Sequence, residues 1–214
     1  MPLHQHSLLH TGASVWIWHL TETLSELQRF LTDEDFNNIC QLYHLPSRRL
    51  QKMATRLLLD KLDAPHRIDI QYDELGKPEL KGIPGTVSIS HSRAHIGLLY
   101  HPTRQAGLDL EEVSPRIMKI ASRFLNPVEK LWIRKEQELA DTTLVWSAKE
   151  ALFKTIGGGG IHFAEDLRIH EPKFTDVDNG HGSAEYQGHK GHLHFEYHFK
   201  YLEGVLMVHT IAKD

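Results

Sequence analysis

Short runs of apolar or alternating residues mark the strands that this chain is predicted to form. Before residue 112, five such runs are predicted as strands: VWIWHL (15–20), IDIQY (68–72), VSIS (87–90), HIGLLYH (95–101) and AGLDLE (106–111). A polar turn, DELGKP, separates the second run from the third. Later strands are predicted at LRIH, AEYQ, HLHFEYHFKY and VLMVHTIA.

Helix start and stop signals predict three helices between the first two strands. Thr-Leu-Ser-Glu at 23–26 has the spacing of a capping box, so a first helix is expected there. A second helix follows Thr32 and ends near Pro46, because proline disfavours helix in the residue before it. Ser47 is a candidate cap for a third helix over 48–62, which Pro65 terminates.

Three further helices are predicted in the second half of the chain. PRIMKIASRFL and PVEKLWIRKEQELA have helical spacing of apolar residues, with Asn126 as the cap of the second and Glu129 reaching back to it. WSAKEALFK (146–154) is the third, and the glycines 157–160 end it. Strands and helices thus alternate in blocks twice, which predicts an α+β fold in two halves, 1–102 and 103–214.

Composition limits the classes of function. The 214 residues carry a net charge of −4, which argues against a nucleic-acid-binding domain. Cys40 is the only cysteine, so internal disulfides and zinc–thiolate sites are excluded. Because neither a membrane-length apolar run nor a signal peptide is apparent, we expect a cytoplasmic protein with no membrane partner.

Three carboxylates form the candidate chemistry. On a strand, Asp109 and Glu111 point to the same face. On the 146–154 helix, Glu150 lies on a stripe between two aromatic residues, where burial of an unpaired charge is costly. Simple alternatives exist: a solvated strand edge for the first two, and an exposed ion pair of Glu150 with Lys154. Together, the three acids instead match the oxygen ligands of Mg²⁺.

Basic groups that could bind phosphate occur at several points. Lys77 lies in a tight turn and His91 ends a strand, while Arg49, Lys52 and Arg56 follow one stripe of the 48–62 helix. A basic stripe is more often simply solvated. His192 and His194, among seventeen histidines, would share a strand face and could bind a soft divalent ion, but without a known metal motif they receive no role.

Five motifs in order, GKPEL, SISHS, GLDLEEV, ASRFLNPVE and WSAKEALFK, resemble those of the 4′-phosphopantetheinyl transferases of the surfactin-synthetase-activating type. The resemblance covers roughly residues 47 to 170. It implies a holo-acyl-carrier-protein synthase activity, which transfers the 4′-phosphopantetheine arm of coenzyme A to a carrier-protein serine. It also implies two similar halves related by a pseudo-twofold axis, with coenzyme A in the cleft between them.

The resemblance assigns roles residue by residue. The metal ligands for Mg²⁺, or Mn²⁺ in its place, are Asp109, Glu111 and Glu150. The coenzyme A ligands are Lys77, Pro78, Ser90, His91, Asp109 and Lys154, with Arg49 and Arg56 at the 3′-phosphate. Glu150 is the first candidate for the base, directly or through a water on the metal, and Glu129 is the second, although its capping position offers a structural explanation.

Two other functions remain open at this point. A catalytically silent module that binds coenzyme A or a carrier protein would have no reason to keep all three acids and Lys154. An unrelated Mg²⁺ phosphohydrolase does not explain GKPEL or SISHS. We expect an apo acyl or peptidyl carrier protein as partner, no nucleic acid, and a monomer, whereas the sequence does not identify the carrier or the pathway.

Overall fold

The computed structural model describes residues 5–9 and 11–213, which form helices and antiparallel strands. The strands are β1 Gln5–Leu8, β2 Ser14–His19, β3 Asp69–Tyr72, β4 Pro78–Lys81, β5 Thr86–His91, β6 His95–His101, β7 Ala106–Glu111, β8 Leu167–Ile169, β9 Lys173–Phe174, β10 Asn179–Gly188, β11 Gly191–Leu202 and β12 Val205–Ala212. The helices are α1 Leu24–Gln28, α2 Asp33–Leu42, α3 Pro46–Leu59, α4 Glu129–Trp132, α5 Glu138–Ile156 and α6 Phe163–Asp166.

The strands pair in two main sheets and one small hairpin. The first sheet has the order β1-β2-β6-β5, and the second has the order β7-β12-β11-β10-β8 with β9 added to β10. Strands β3 and β4 pair only with each other in the described chain. This mixed architecture of antiparallel sheets and separate helices agrees with the predicted α+β class. None of the described helices combines the length and apolar character needed to cross a membrane.

Side-chain hydroxyls join the edges of the two main sheets. The backbone N–H of Leu108 in β7 donates to Ser88 Oγ in β5 at 2.9 Å, and that of Leu110 donates to Ser90 Oγ at 3.1 Å. Residues two apart on β5 share a face, so the serine spacing matches the rise of the opposite strand. Strand β7 is thereby held beside the motif SISHS.

Helix α5 packs closely on β7 at a glycine. A Cβ added to Gly107 would lie 2.0 Å from the carbonyl oxygen of Ala151 and 2.6 Å from Thr155 Oγ1, so only glycine allows this approach. Around this contact, α5 buries the side chains of Leu144, Ala148 and Leu152 against the second sheet. The close contact brings the face of α5 that carries Glu150 next to the polar end of β7.

Several predicted boundaries are confirmed and two caps are wrong. Helix α4 begins after Val128 and not after Asn126, although Asn126 and Glu129 exchange the predicted hydrogen bonds. The capping box at Thr23 and Glu26 is present in full. Strands β6 and β7 have the predicted bounds. The cap of α3 is Leu45 and not Ser47, because Pro46, with its fixed φ and missing N–H, takes the first helical position. Strand β4, which begins at Pro78 of GKPEL and ends at Lys81, was not predicted.

Two predicted helices between 115 and 140 are wrong in extent. The segment 115–125 forms only short 3₁₀ turns, and the carbonyl of Phe124 accepts a hydrogen bond from the Lys149 ammonium instead of from a helix. The next helix is interrupted after α4, where Arg134 turns away and donates to Asp141 at 2.6–3.0 Å. Both changes result from contacts to α5 that local spacing does not reveal.

Candidate active site

Asp109 is the centre of the polar cluster at the junction of β5, β7 and α5. Its side chain is buried, and Oδ2 accepts a hydrogen bond from Ser147 Oγ at 2.8 Å. Oδ1 accepts one from Ser90 Oγ at 3.1 Å and lies 2.8 Å from the Lys154 ammonium. Asp109 therefore has two hydroxyl donors and one ammonium as partners.

Glu111 and Glu150 are less well compensated. Trp146 Nε1 donates to Glu111 at 3.2 Å, yet burial raises the pKa of Glu111 and the charge of Asp109 raises it further. Burial, followed by the charge of Asp109, raises the pKa of Glu150 to about 7, although Lys154 acts in the opposite direction. No described residue donates a hydrogen bond to Glu150. The simple alternative, an exposed Glu150–Lys154 ion pair, is thus not formed, since Lys154 donates to Asp109, Ser90 and the Leu108 carbonyl.

The donor chemistry of this cluster fits a hard divalent cation such as Mg²⁺. It offers three carboxylates with no thiolate or imidazole, and the pKa values of Glu111 and Glu150 are raised, first by burial and then by the charge of Asp109. Their oxygens do not all lie within 4.8 Å of one another; within the described residues, only Glu185, His192 and His194 meet that criterion. Repulsion between the acids, together with the hold of Lys154 on Asp109, accounts for the wider spacing.

A cavity of about 400 Å³ opens beside the acids. Glu150, Phe153 and Lys154 of α5 line one side of it. The opposite side comes from α3, the β3–β4 hairpin and β5, and its basic residues are Arg48, Lys52, Lys77 and His91. Such a lining, basic with an apolar floor, suits an anionic molecule that also has an uncharged arm.

Lys77 and His91, both predicted to bind phosphate, line the cavity. The Lys77 ammonium is 2.7 Å from Gln105 Oε1, and desolvation lowers its pKa. His91 Nε2 lies 3.0 Å from the Arg48 guanidinium, and desolvation together with that positive charge lowers the pKa of His91. Pro78 is also in the lining. Ser90 is not, because its buried hydroxyl is turned to Asp109 and Lys154.

Arg49 and Arg56 do not reach the cavity. The Arg49 guanidinium donates to the carbonyls of Tyr43 and Cys40 at 2.6 and 3.0 Å, so it fastens the end of α2. Arg56 is buried and bonds the Ile68 carbonyl and Asp60. Both guanidinium groups donate to other groups of the protein, and their assignment to the 3′-phosphate stays a prediction.

The cavity-facing stripe of α3 instead comprises Arg48, Gln51, Lys52 and Thr55. The sequence analysis overlooked Arg48, although its spacing of four from Lys52 and seven from Thr55 places the three on one face. Ser147 was overlooked too. Its position three residues before Glu150 is the sequence signal that it shares the acidic face of α5.

Glu129, the second candidate for the base, lies in a buried network of hydrogen bonds. Its carboxylate is fully buried and accepts from the backbone N–H of Asn126 and Ile169, both at 2.9 Å. The Lys149 ammonium lies 2.8 Å away, also fully buried, and donates to the Phe124 and Phe163 carbonyls. Both carboxylate oxygens of Glu129 accept hydrogen bonds, and these contacts favour a structural role.

Comparison with known proteins agrees with this geometry. Residues 105–210 match the family model described as the 4′-phosphopantetheinyl transferase superfamily. The chain is 33% identical over 117 residues to the 4′-phosphopantetheinyl transferase AcpT of Salmonella typhimurium, covering 52% of this chain and 60% of that one. It is 27% identical over 182 residues to the 4′-phosphopantetheinyl transferase HetI of Nostoc sp., covering 76% of each.

The chain thus spans about 60% of the length of the first curated relatives it matches. A 4′-phosphopantetheinyl transferase of Bacillus subtilis is 30% identical over 99 residues, or 44% of each chain. The matched region 105–210 contains the three acids and Lys154. By its motifs, its acidic cluster and these matches, the segment 105–210 of this chain is a domain of the 4′-phosphopantetheinyl transferase superfamily.

Proposed function

We propose that this protein is a Mg²⁺-dependent transferase that moves the 4′-phosphopantetheine arm of coenzyme A to a serine hydroxyl of an apo carrier protein. Adenosine 3′,5′-bisphosphate is the second product, and the enzyme is of the surfactin-synthetase-activating type. One observation carries the proposal: Glu150 and Lys154 line a cavity that also carries several basic side chains, and Lys154 is bonded to Asp109. The names of the relatives support the same reaction.

The basic wall suits the negative charge of coenzyme A. Its diphosphate would lie near Lys77 and Lys154, and its remaining phosphate near Arg48 and Lys52, where several ammonium and guanidinium groups can donate. Phosphoryl-type transfer depends mainly on positioning and on charge neutralisation. Lys154, fixed by three hydrogen bonds, is already oriented before the substrate binds.

Asp109, Glu111 and Glu150 would hold Mg²⁺, with Mn²⁺ as a substitute. When bound, the cation neutralises charge on the bridging diphosphate. Glu150 is our candidate for accepting the proton of the carrier serine. Its carboxylate lines the cavity and accepts no hydrogen bond from a described residue, so its oxygens are available to a proton.

The carrier serine would approach from the other side of the acids. A second cavity of about 750 Å³ is lined by Glu111, Trp146 and His91, and by Arg93 and Arg116. His91 belongs to the linings of both cavities. A serine hydroxyl entering there would meet the diphosphate at the acids. The division into halves 1–102 and 103–214 and their pseudo-twofold relation remain predictions of the same proposal.

Mass spectrometry of carrier proteins tests the proposal directly. Apo carriers of fatty-acid, polyketide and peptide-synthetase type are incubated with the protein, coenzyme A and Mg²⁺. We expect at least one carrier to gain the mass of a single phosphopantetheine group, and Lys154→Ala to abolish the gain. A catalytically silent module would bind coenzyme A or the carrier and leave every carrier mass unchanged.

A further inference from the structure

A cluster of potential metal ligands lies on the second sheet, apart from the acidic site. Glu185 of β10 is directly opposite His194 of β11 in the antiparallel register. His192 is two residues before His194, so the two imidazoles share one face of β11. Register and pleat together therefore place one carboxylate and two imidazoles side by side.

The spacing of these groups is close to that of a zinc site. His192 Nε2 is 3.6 Å from Glu185 Oε2, and His194 Nδ1 is 3.8 Å from Glu185 Oε1. One ligand atom from each of the three residues lies within 4.8 Å of the others. In a tetrahedral site with bonds near 2.0–2.1 Å, ligand atoms are roughly 3.3 Å apart. Small side-chain rotations would close the difference.

The surroundings hold the carboxylate and leave the imidazoles accessible. His170 Nε2 lies 3.1 Å from Glu185 Oε1, a contact of the kind that orients a ligating carboxylate. The side chains of His192 and His194 are 50% and 62% exposed, so an ion can reach them from solvent. Arg168, at 4.0 Å from Glu185, is a weak and partly exposed competitor for the same charge.

We propose that Glu185, His192 and His194 bind a divalent ion of the zinc class, with a fourth position left for water or for a ligand from another molecule. Two imidazoles select Zn²⁺, Ni²⁺ or Cu²⁺ over the Mg²⁺ suited to the all-carboxylate cluster. The ion would link β10 to β11. The turn of that hairpin carries Lys190, whose ammonium donates to the carbonyl of Gly157 at the end of α5.

Calorimetric titration of untagged, chelator-stripped protein with Zn²⁺ tests the site. Excess Mg²⁺ is present so that Asp109, Glu111 and Glu150 do not contribute. We expect one saturable site whose affinity falls at least about tenfold in Glu185→Gln and in His194→Gln, since each removes one ligand. His189→Gln, on the same hairpin but outside the cluster, is the matched control and should keep the affinity of the unaltered protein.

Thermal unfolding supplies a second readout that does not involve carrier modification. Zn²⁺ should raise the Tm of the unaltered protein and of His189→Gln, because an ion that binds only the folded state stabilises it. It should leave the Tm of Glu185→Gln and His194→Gln nearly unchanged, while all four proteins melt together without zinc. Equal zinc affinity in all four proteins, or no saturable binding to the unaltered one, would overturn the proposal.

Discussion

The Lys154 ammonium lies 2.8 Å from Oδ1 of Asp109, and this contact decides how charge is distributed in the metal-free site. Asp109 is paired with the Lys154 ammonium, whereas Glu111 and Glu150 have no direct positive partner in the described part of the chain. The pKa of Glu111 and that of Glu150 are both raised, first by burial and then by the charge of Asp109. A divalent cation would therefore be drawn mainly by the two acids that Lys154 leaves uncompensated.

Metal affinity should depend on pH through Glu150. Because the pKa of this carboxyl is about 7, a proton competes with the cation below neutrality. We expect Mg²⁺ affinity to fall about tenfold between pH 8 and pH 6, as protonation of one ligand at that pKa requires. Isothermal titration at several pH values, with and without coenzyme A, measures it.

Two outcomes are informative in the same experiment. Coenzyme A should tighten Mg²⁺ binding because its diphosphate oxygens complete the ligand set, and excess chelator should stop carrier modification. Glu150→Gln should remove the pH dependence as well as lower the affinity. Affinity that is flat from pH 6 to pH 8 in the unaltered protein would show that Glu150 is not a ligand.

Substitution of Arg48 and of its neighbour Arg49 on α3 should have different effects on the KM for coenzyme A. Arg48→Gln should raise the KM for coenzyme A about tenfold with little change in kcat, since a charge-assisted hydrogen bond contributes about 1.5 kcal/mol or more. Arg49→Gln is the control: it should leave KM unchanged and lower the stability by about 1 kcal/mol, because two carbonyls at the end of α2 lose their donor.

Steady-state kinetics with coenzyme A and with 3′-dephospho-coenzyme A checks this assignment. If Arg48 binds the 3′-phosphate, its replacement affects the first compound more than the second. A larger KM effect from Arg49→Gln than from Arg48→Gln would restore the assignment that the sequence favoured.

The buried pair of Glu129 and Lys149 should matter for folding and not for chemistry. Burial raises the pKa of Glu129 and lowers that of Lys149, and the pair is held by surrounding backbone groups. Glu129→Gln leaves an unpaired buried ammonium, so we expect a loss of about 3–5 kcal/mol in unfolding free energy. Urea denaturation measures the loss, and Lys130→Gln, exposed one residue later, should be nearly neutral.

Turnover per folded molecule separates the two roles of Glu129. Well below its lowered Tm, Glu129→Gln should modify carriers at close to the normal rate. A rate loss of a hundredfold or more with only a small change in stability would instead identify Glu129 as the base, since acid–base groups contribute that much.

Local signals in the sequence predicted much of the scaffold. The capping box of Thr23, the bounds of β6 and β7, and the reciprocal hydrogen bonds of Asn126 and Glu129 all depend on residues a few positions apart. Hydrophobic spacing and cap chemistry act at that range. Hydrophobic spacing and caps do not predict that Asp109 and Glu150 lie in one site. That prediction came from the five ordered motifs and their resemblance to a known family.

Features that depend on tertiary contacts were not predictable in this way. The break after α4 follows from Arg134 binding Asp141, and the rotation of α3 decides that Arg48 and not Arg49 faces the cavity. Both arginines fit a polar stripe, and only the packing of the apolar side selects between them. Likewise, Glu185 joins His194 only through the register of β10 and β11.

Glu150→Gln should change stability and activity in opposite directions. A folded-state pKa of about 7, above the unfolded value, means that folding favours the protonated carboxyl. In the metal-free protein, the Glu150 carboxyl therefore does not lower the free energy of unfolding at pH values below its unfolded pKa. It lowers that free energy increasingly as the pH rises to about 7. At pH 8, the substitution should stabilise the metal-free protein by on the order of 2 kcal/mol after allowance for solvent screening.

Chemical denaturation at pH 8 and pH 4, in excess chelator, measures this difference, which should vanish at the lower pH. Glu138→Gln, at the exposed start of the same helix, should change stability by only a few tenths of a kcal/mol at either pH. Carrier modification by Glu150→Gln should meanwhile be nearly abolished, because a ligand and a base are lost together. If Glu150→Gln kept near-normal turnover, or if it were less stable at pH 8, the roles assigned to Glu150 would be wrong.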